Sequence, residues 1–168
     1  AFELADADVK SICQQICAQV EALRTTPHFR RYRVSRGQER TLLDLVHDEV
    51  PQLFPDKLSH QGILFDQPEE VLVNKICALV GRGEARDFVD AYFLVTQGFD
   101  RDAALARANQ KDGGVDAGTL LYVLSDVDWG RFQAPGVEPA LVQATAVFFQ
   151  EWMEQLARAT FPQADPTG

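Results

Sequence analysis

The chain has 168 residues, 46% hydrophobic and 24% charged, which is enough to bury roughly 70% of its unfolded surface and is not a disordered composition. A net charge of −9 argues against a broad nucleic-acid footprint, which needs surplus Lys and Arg, but leaves room for one local basic site. No apolar run approaches the ~20 residues of a membrane span, and three cysteines without metal-like spacing fit a reduced, cytosolic setting.

Asp6 or Asp8 is placed to cap a first helix running to about Leu23, because Val9, Ile12, Ile16, Val20 and Leu23 recur at three- and four-residue spacing. Cys13 and Cys17 share that expected helix at i, i+4, where packing explains them. Phe29, Tyr32 and Val34 form one β-prone run, Leu43, Leu45 and His47 another, with Ser35-Arg36-Gly37-Gln38 as the turn of an antiparallel hairpin. Residues 50–61, with Pro51 and Pro55, read as a loop, and GILF (62–65) as a short third strand.

From there the pattern is helical. Asp66, Pro68 and Glu69 supply a cap, an early proline and an acidic first turn, and Val71, Leu72, Ile76, Leu79 and Val80 a stripe that Gly81-Arg82-Gly83 interrupts. A second helix spans Glu84 to Thr96 with Ala85, Phe88, Tyr92 and Val95 on one face. A third runs from Asp100 to Lys111 and stops at Gly113-Gly114. Asp116 caps a fourth, to about Ser125, and Pro139 starts the longest, carrying Leu141, Thr145, Phe148 and Trp152. The expected class is α+β: a small antiparallel or mixed sheet in residues 1–66, a helical domain in 67–160 and a loose tail at 161–168.

Several residue patterns could carry chemistry. Gly81-x-Gly83 follows a helix and lacks a third glycine, so it is no dinucleotide fingerprint. His28, His47 and His60 have no metal spacing and read as satisfied or solvated. Asp6-x-Asp8 could hold Mg²⁺ if it lay on a strand, but the helical stripe starting at Val9 favours a helix terminus. Asp44, between Leu43 and Leu45, projects to the other side of its strand, either as a solvent-facing acid or as a metal-site carboxylate. Lys75, Arg82, Arg86, Asp87 and Asp90 crowd between two apolar faces. Arg86 and Asp90 stand at i, i+4, the spacing of an ordinary helix pair. Such a set either braces itself or receives an anion.

These residues spell K-x-x-A-L-x-x-R-x-x-x-R-D-x-x-D, as Lys75, Ala78, Leu79, Arg82, Arg86, Asp87 and Asp90. The pattern resembles the nucleotidyltransferase AbiEii/AbiGii toxin family. TLLDLV (41–46), FDQPEEVLVNK (65–75) and the run Ala108-Asn109-Gln110-Lys111-Asp112-Gly113-Gly114 extend the similarity over about residues 8–125. The resemblance implies a polymerase-β-like core joined to a helical domain, moving a nucleotide from an NTP with Mg²⁺. It also implies tRNA as an acceptor and an antitoxin as protein partner. By the same match Asp44 stands as the core's third, metal-binding carboxylate, Lys75 meets the nucleotide phosphates and Asp87 is a catalytic-site acid. Arg82, Arg86 and Asp90 build or brace the nucleotide pocket.

The family's Gly-Ser or Gly-Gly turn and its strand with two carboxylates have no counterpart before Asp8. The chain opens Ala1-Phe2, and its one methionine is Met153. The expectation is therefore a chain lacking the N-terminal part of the catalytic motif and inactive by itself. The competing expectation is a non-catalytic interaction module in which the Arg/Asp cluster is an internal salt-bridge network. A phosphate site leaves Lys75 and at least one arginine free; a bracing network satisfies all of them.

Overall fold

A stretch with perfect helical spacing is broken at Cys17. The structure, a computed structural model, describes residues 2–47 and 49–161; the expected loose tail lies, apart from Phe161, outside the described residues. In it a helix α1 (Phe2–Gln15) gives way to a strand β1 (Gln19–Thr26), so the expected helix to Leu23 is corrected on both sides. Cys17 turns the chain with φ +54°, an uncommon conformation for a residue with a Cβ. Neither Gly nor Pro marks the position. Pairing of β1 with the next strand overrides the local helical period.

The expected hairpin is present as β2 (Phe29–Arg36) and β3 (Glu39–Val46), antiparallel and in continuous register from Phe29–Val46 to Arg36–Glu39. The first residue of its two-residue turn, Gly37, has φ +62°, the left-handed conformation such hairpins require and glycine adopts without strain. β1 joins β2 on the other side, giving the order β1-β2-β3. A bulge between Ala22 and Arg24 interrupts that ladder. Tyr32 is buried on the sheet and Cys13 on α1, whereas Ile12 and Ile16 are exposed. The helix face that packs is thus not the one the apolar spacing marks.

Asp6 is the reason. It lies inside α1 and is buried, accepting hydrogen bonds from Lys10 Nζ at 2.9 Å and from the Tyr32 hydroxyl, and pairing with Arg30 at 2.8 Å. These hydrogen bonds, Tyr32's foremost, hold its carboxyl well below the usual carboxylate range. Asp6 is therefore no cap, and a strand-borne Asp6-x-Asp8 metal pair is ruled out by the helix.

Residues 1–50 form one compact unit and 51–168 another. The second begins with two short strands, β4 (Leu58–His60) and β5 (Ile63–Phe65), which pair with each other in a sheet of their own. They cluster with the helices that follow. Five helices follow: α2 (Pro68–Gly81), α3 (Ala85–Thr96), α4 (Arg101–Lys111), α5 (Ala117–Asp126) and α6 (Pro139–Thr160). The expected α+β class with a helical C-terminal part holds.

Their ends follow the local chemistry. Asp100 accepts the Asp102 and Ala103 N–H groups, and Asp116 accepts that of Thr119, satisfying donors that have no partner within the helix. Asp66 does not cap α2; Gln67 occupies that position, and Asp66 pairs with Lys57 instead. At the other end Gly83, φ +58°, donates its N–H to the Ala78 carbonyl at 3.0 Å.

α2 is packed against α3, α4 and α5, and α6 against α3 and α5. Leu72, Ile76 and Leu79 of α2 are essentially inaccessible, as are Phe88, Leu120, Leu124, Phe149 and Trp152. Phe88 meets Trp129, Phe132 and Phe149 edge-on at 5.0–5.7 Å between centroids, an arrangement aromatic quadrupoles favour. This cluster locks α3 against α6 directly beside Asp87.

A candidate nucleotide-handling site

Lys75 leaves α2 next to its buried stripe, Arg82 is the residue just past the helix, and Asp87 and Asp90 occupy the first turns of α3. The short Gly83 connection brings them together. Lys75 Nζ lies 3.0 Å from Asp87 Oδ1 and 2.6 Å from Asp90 Oδ2. The Arg82 guanidinium grips Asp87 with two bonds, Nε to Oδ2 at 2.8 Å and Nη2 to Oδ1 at 3.0 Å. Asp87 is the centre of the group: its side chain is 1% exposed, against 24% for Lys75 and 57% for Arg82.

Burial alone would raise the Asp87 carboxyl, but the bonds from Arg82 and Lys75 and the charges behind them outweigh it and hold it below its ordinary value. The α3 N-terminus adds a favourable field. Lys75 shows the mirror balance. Desolvation pulls its ammonium down, while the bonds to Asp90 and Asp87 carry it net upward, so it is held charged.

The expected Arg86–Asp90 helix pair is absent. Asp90 turns to Lys75 instead, because a half-buried ammonium one helix away is the stronger partner for it than a solvated guanidinium on its own helix. Arg86 is exposed and makes no ion pair among the described residues. The cluster therefore divides: Lys75, Asp87 and Asp90 satisfy one another, Arg82 is shared between Asp87 and solvent, and Arg86 faces solvent.

Asp44 belongs to the other unit. On β3 it stands opposite Arg31 of β2 and takes a two-pronged bond from it, 2.7 Å on each oxygen. That hydrogen bond is the main reason its carboxyl lies below the ordinary value. Both carboxylates expected in the catalytic chemistry, Asp44 and Asp87, thus have both oxygens engaged by cations.

Two arrangements escaped the sequence reading. Glu70 is completely buried; one oxygen accepts the backbone N–H groups of Leu53 and Phe54, both at 3.0 Å, and the other accepts Lys111 Nζ. Lys111 also donates to Asn74 at 2.5 Å. The signal was available, since Glu70 precedes Val73 and Cys77 by three and seven residues on the apolar side of α2. The second is a histidine pair, His28 and His47, brought together by strand register. A cavity of about 340 Å³ beside α2 and α4, with Phe54, Leu72, Phe99 and Arg107 in its wall, contains none of the expected site residues.

Residues 7–164 match the family model described as nucleotidyl transferase AbiEii toxin, type IV TA system. The chain belongs to that family. No curated protein and no solved structure matches it. The AbiEii match spans both units and includes every residue of the Lys75–Asp90 cluster as well as Asp44. It makes this a nucleotidyltransferase-like toxin-family protein, belonging to a class that works opposite an antitoxin. No helix among the described residues is long and apolar enough to cross a membrane.

Proposed function

We propose that the α2–α3 cluster handles the triphosphate of an NTP that the complete protein transfers to an acceptor such as tRNA, in the bacterial cytoplasm and under control of an antitoxin. The observation that carries the proposal is the uneven satisfaction of the cluster. Arg86 and the exposed side of Arg82 offer guanidinium donors suited to phosphate oxygens. Lys75, Asp87 and Asp90 hold the turn that presents them, and Lys75 can exchange a carboxylate for a phosphate partner. Asp87 is the acid nearest the bound nucleotide in this reading.

Mg²⁺ is the metal such a transfer implies, with Asp44 as its assigned carboxylate. The described residues do not fit a complete Mg²⁺ site: Asp44 offers at most one ligand group and does so only by releasing Arg31, whereas Mg²⁺ demands an octahedral oxygen shell. Two-metal transfer needs carboxylate oxygens that are free to coordinate. Residues 1–168 with NTP and Mg²⁺ are therefore expected to incorporate no labelled nucleotide into tRNA; measurable incorporation refutes this.

The binding part is tested by titrating ATP, GTP, CTP and UTP into the wild-type chain, Arg86→Ala and Lys75→Ala, with thermal melts in parallel. Arg86→Ala is expected to stay within ~0.5 kcal/mol of wild-type stability and to lose about tenfold or more in NTP affinity, as removal of a charge-assisted phosphate contact should. Lys75→Ala should lose affinity and also stability, since it leaves Asp87 to Arg82 alone.

The saturation of Lys75 by two carboxylates favours a second reading, a bracing network in a non-catalytic interaction module. Unchanged NTP binding in both variants, with a lowered melting temperature only in Lys75→Ala, would establish that reading in place of the first.

A further inference from the structure

We propose that His28, His47 and Glu49 form a site for a divalent transition metal of the Zn²⁺ type, independent of the nucleotide reading. His28 is the second residue of the Pro27-His28 turn between β1 and β2, and His47 follows the last residue of β3. The β2–β3 register continues past Phe29–Val46, placing the two histidines opposite each other, and the His47 N–H donates to the His28 carbonyl at 2.9 Å. Nineteen residues apart in sequence, they meet only through that register.

The two Nδ1 atoms face each other at 3.2 Å, within hydrogen-bond reach, with the ring planes 11° from parallel and the centroids 5.5 Å apart. Two nitrogens each ~2.05 Å from Zn²⁺ at a tetrahedral angle lie about 3.3 Å apart. Glu49 brings a carboxylate oxygen to 3.7 Å from His47 Nδ1, and one ligand atom from each of the three residues lies within 4.8 Å of the others. Two imidazoles and a carboxylate suit Zn²⁺, and Cu²⁺ or Ni²⁺ less selectively, but not Mg²⁺, which prefers an all-oxygen shell. Three protein ligands leave the fourth tetrahedral position to water or to a donor from outside.

The backbone brings the two histidines together before metal arrives, and a pivot of the exposed rings turns both Nδ1 atoms onto a shared ion. Pro27 restricts the turn that carries His28, and the ladder bond fixes His47 against it. All three side chains are exposed, so exchange with solution is open. The site would join the end of the β2–β3 ladder to the segment that follows β3.

The test is calorimetric titration of Zn²⁺ into the whole chain carrying Cys17→Ser, which removes the exposed thiol as a competing ligand. One saturable site is expected. His28→Ala and His47→Ala should each weaken it roughly tenfold or more, in line with the loss of a ligand from a three-ligand site, while His60→Ala leaves it unchanged. Co²⁺ absorption should show a tetrahedral spectrum without a thiolate charge-transfer band. Histidine nitrogen NMR should place the metal on Nδ1, and His47→Gln with circular dichroism guards against a folding defect. Absence of saturable binding, or binding that both histidine variants leave intact, overturns the proposal.

Discussion

Glu70→Ala is expected to cost ~3–5 kcal/mol of stability, the range for removing one partner of a buried ion pair. The carboxylate is wholly inaccessible, and Lys111 beside it is 5% exposed. Its loss strands an ammonium whose remaining partner is Asn74, together with the two N–H groups that tie residues 53–54 to α2. Urea melts measure the loss. Glu70→Ala combined with Lys111→Met should recover part of it, because the orphaned charge goes as well. A loss under ~1 kcal/mol for the single variant would mean that water reaches the pair and that it is not buried.

Asp87→Ala is the second large effect, smaller in free energy but pH-dependent. Lys75 keeps Asp90 and Arg82 can turn to solvent, so the cost at neutral pH is ~1–3 kcal/mol. The folded carboxyl lies below its ordinary value; its contribution is therefore complete above the unfolded value of about 4 and is lost as pH falls through the lower folded value. The gap between wild type and Asp87→Ala should be constant near neutrality and close below about pH 4. A gap that persists undiminished into that acid range would show that the carboxylate's charge is not what stabilises the turn.

Much of this fold was legible because its signals are local. The Gly37 hairpin, the Asp116 cap, the Gly81–Gly83 break and the Pro139 start each rest on a residue whose backbone preference decides the outcome within a turn. What was not legible depends on partners far along the chain. Nothing near Cys17 says that a helix must stop there; β2, which begins at Phe29, does. Asp6 looked like a cap because its partners, the buried Tyr32 and the partly buried Arg30, lie on that strand.

The site divides in the same way. Lys75, Arg82, Asp87 and Asp90 converge because a short connection folds two adjacent helices back on each other, and their spacing already contained that. Which cation took which carboxylate was not contained in it. Arg86 and Asp90 have the right spacing for a pair, yet the competition is settled by burial, and Lys75 wins Asp90 from across the helix connection. Glu70 with Lys111 and His28 with His47 needed the tertiary fold outright.

Both tryptophans of the chain, Trp129 and Trp152, lie in the unit spanning residues 51–168. Trp129 stacks on Phe149, and Trp152 sits beneath the Arg101 guanidinium. Indole emission is thus an optical reporter within the helical half; the other half has no tryptophan, and its one phenol is Tyr32. Fluorescence melts will register Glu70→Ala and Asp87→Ala in the unit that carries both substitutions, while the β1-β2-β3 sheet holds no indole of its own. Circular dichroism sees both halves, and a temperature difference between the two signals would measure how independently the halves unfold.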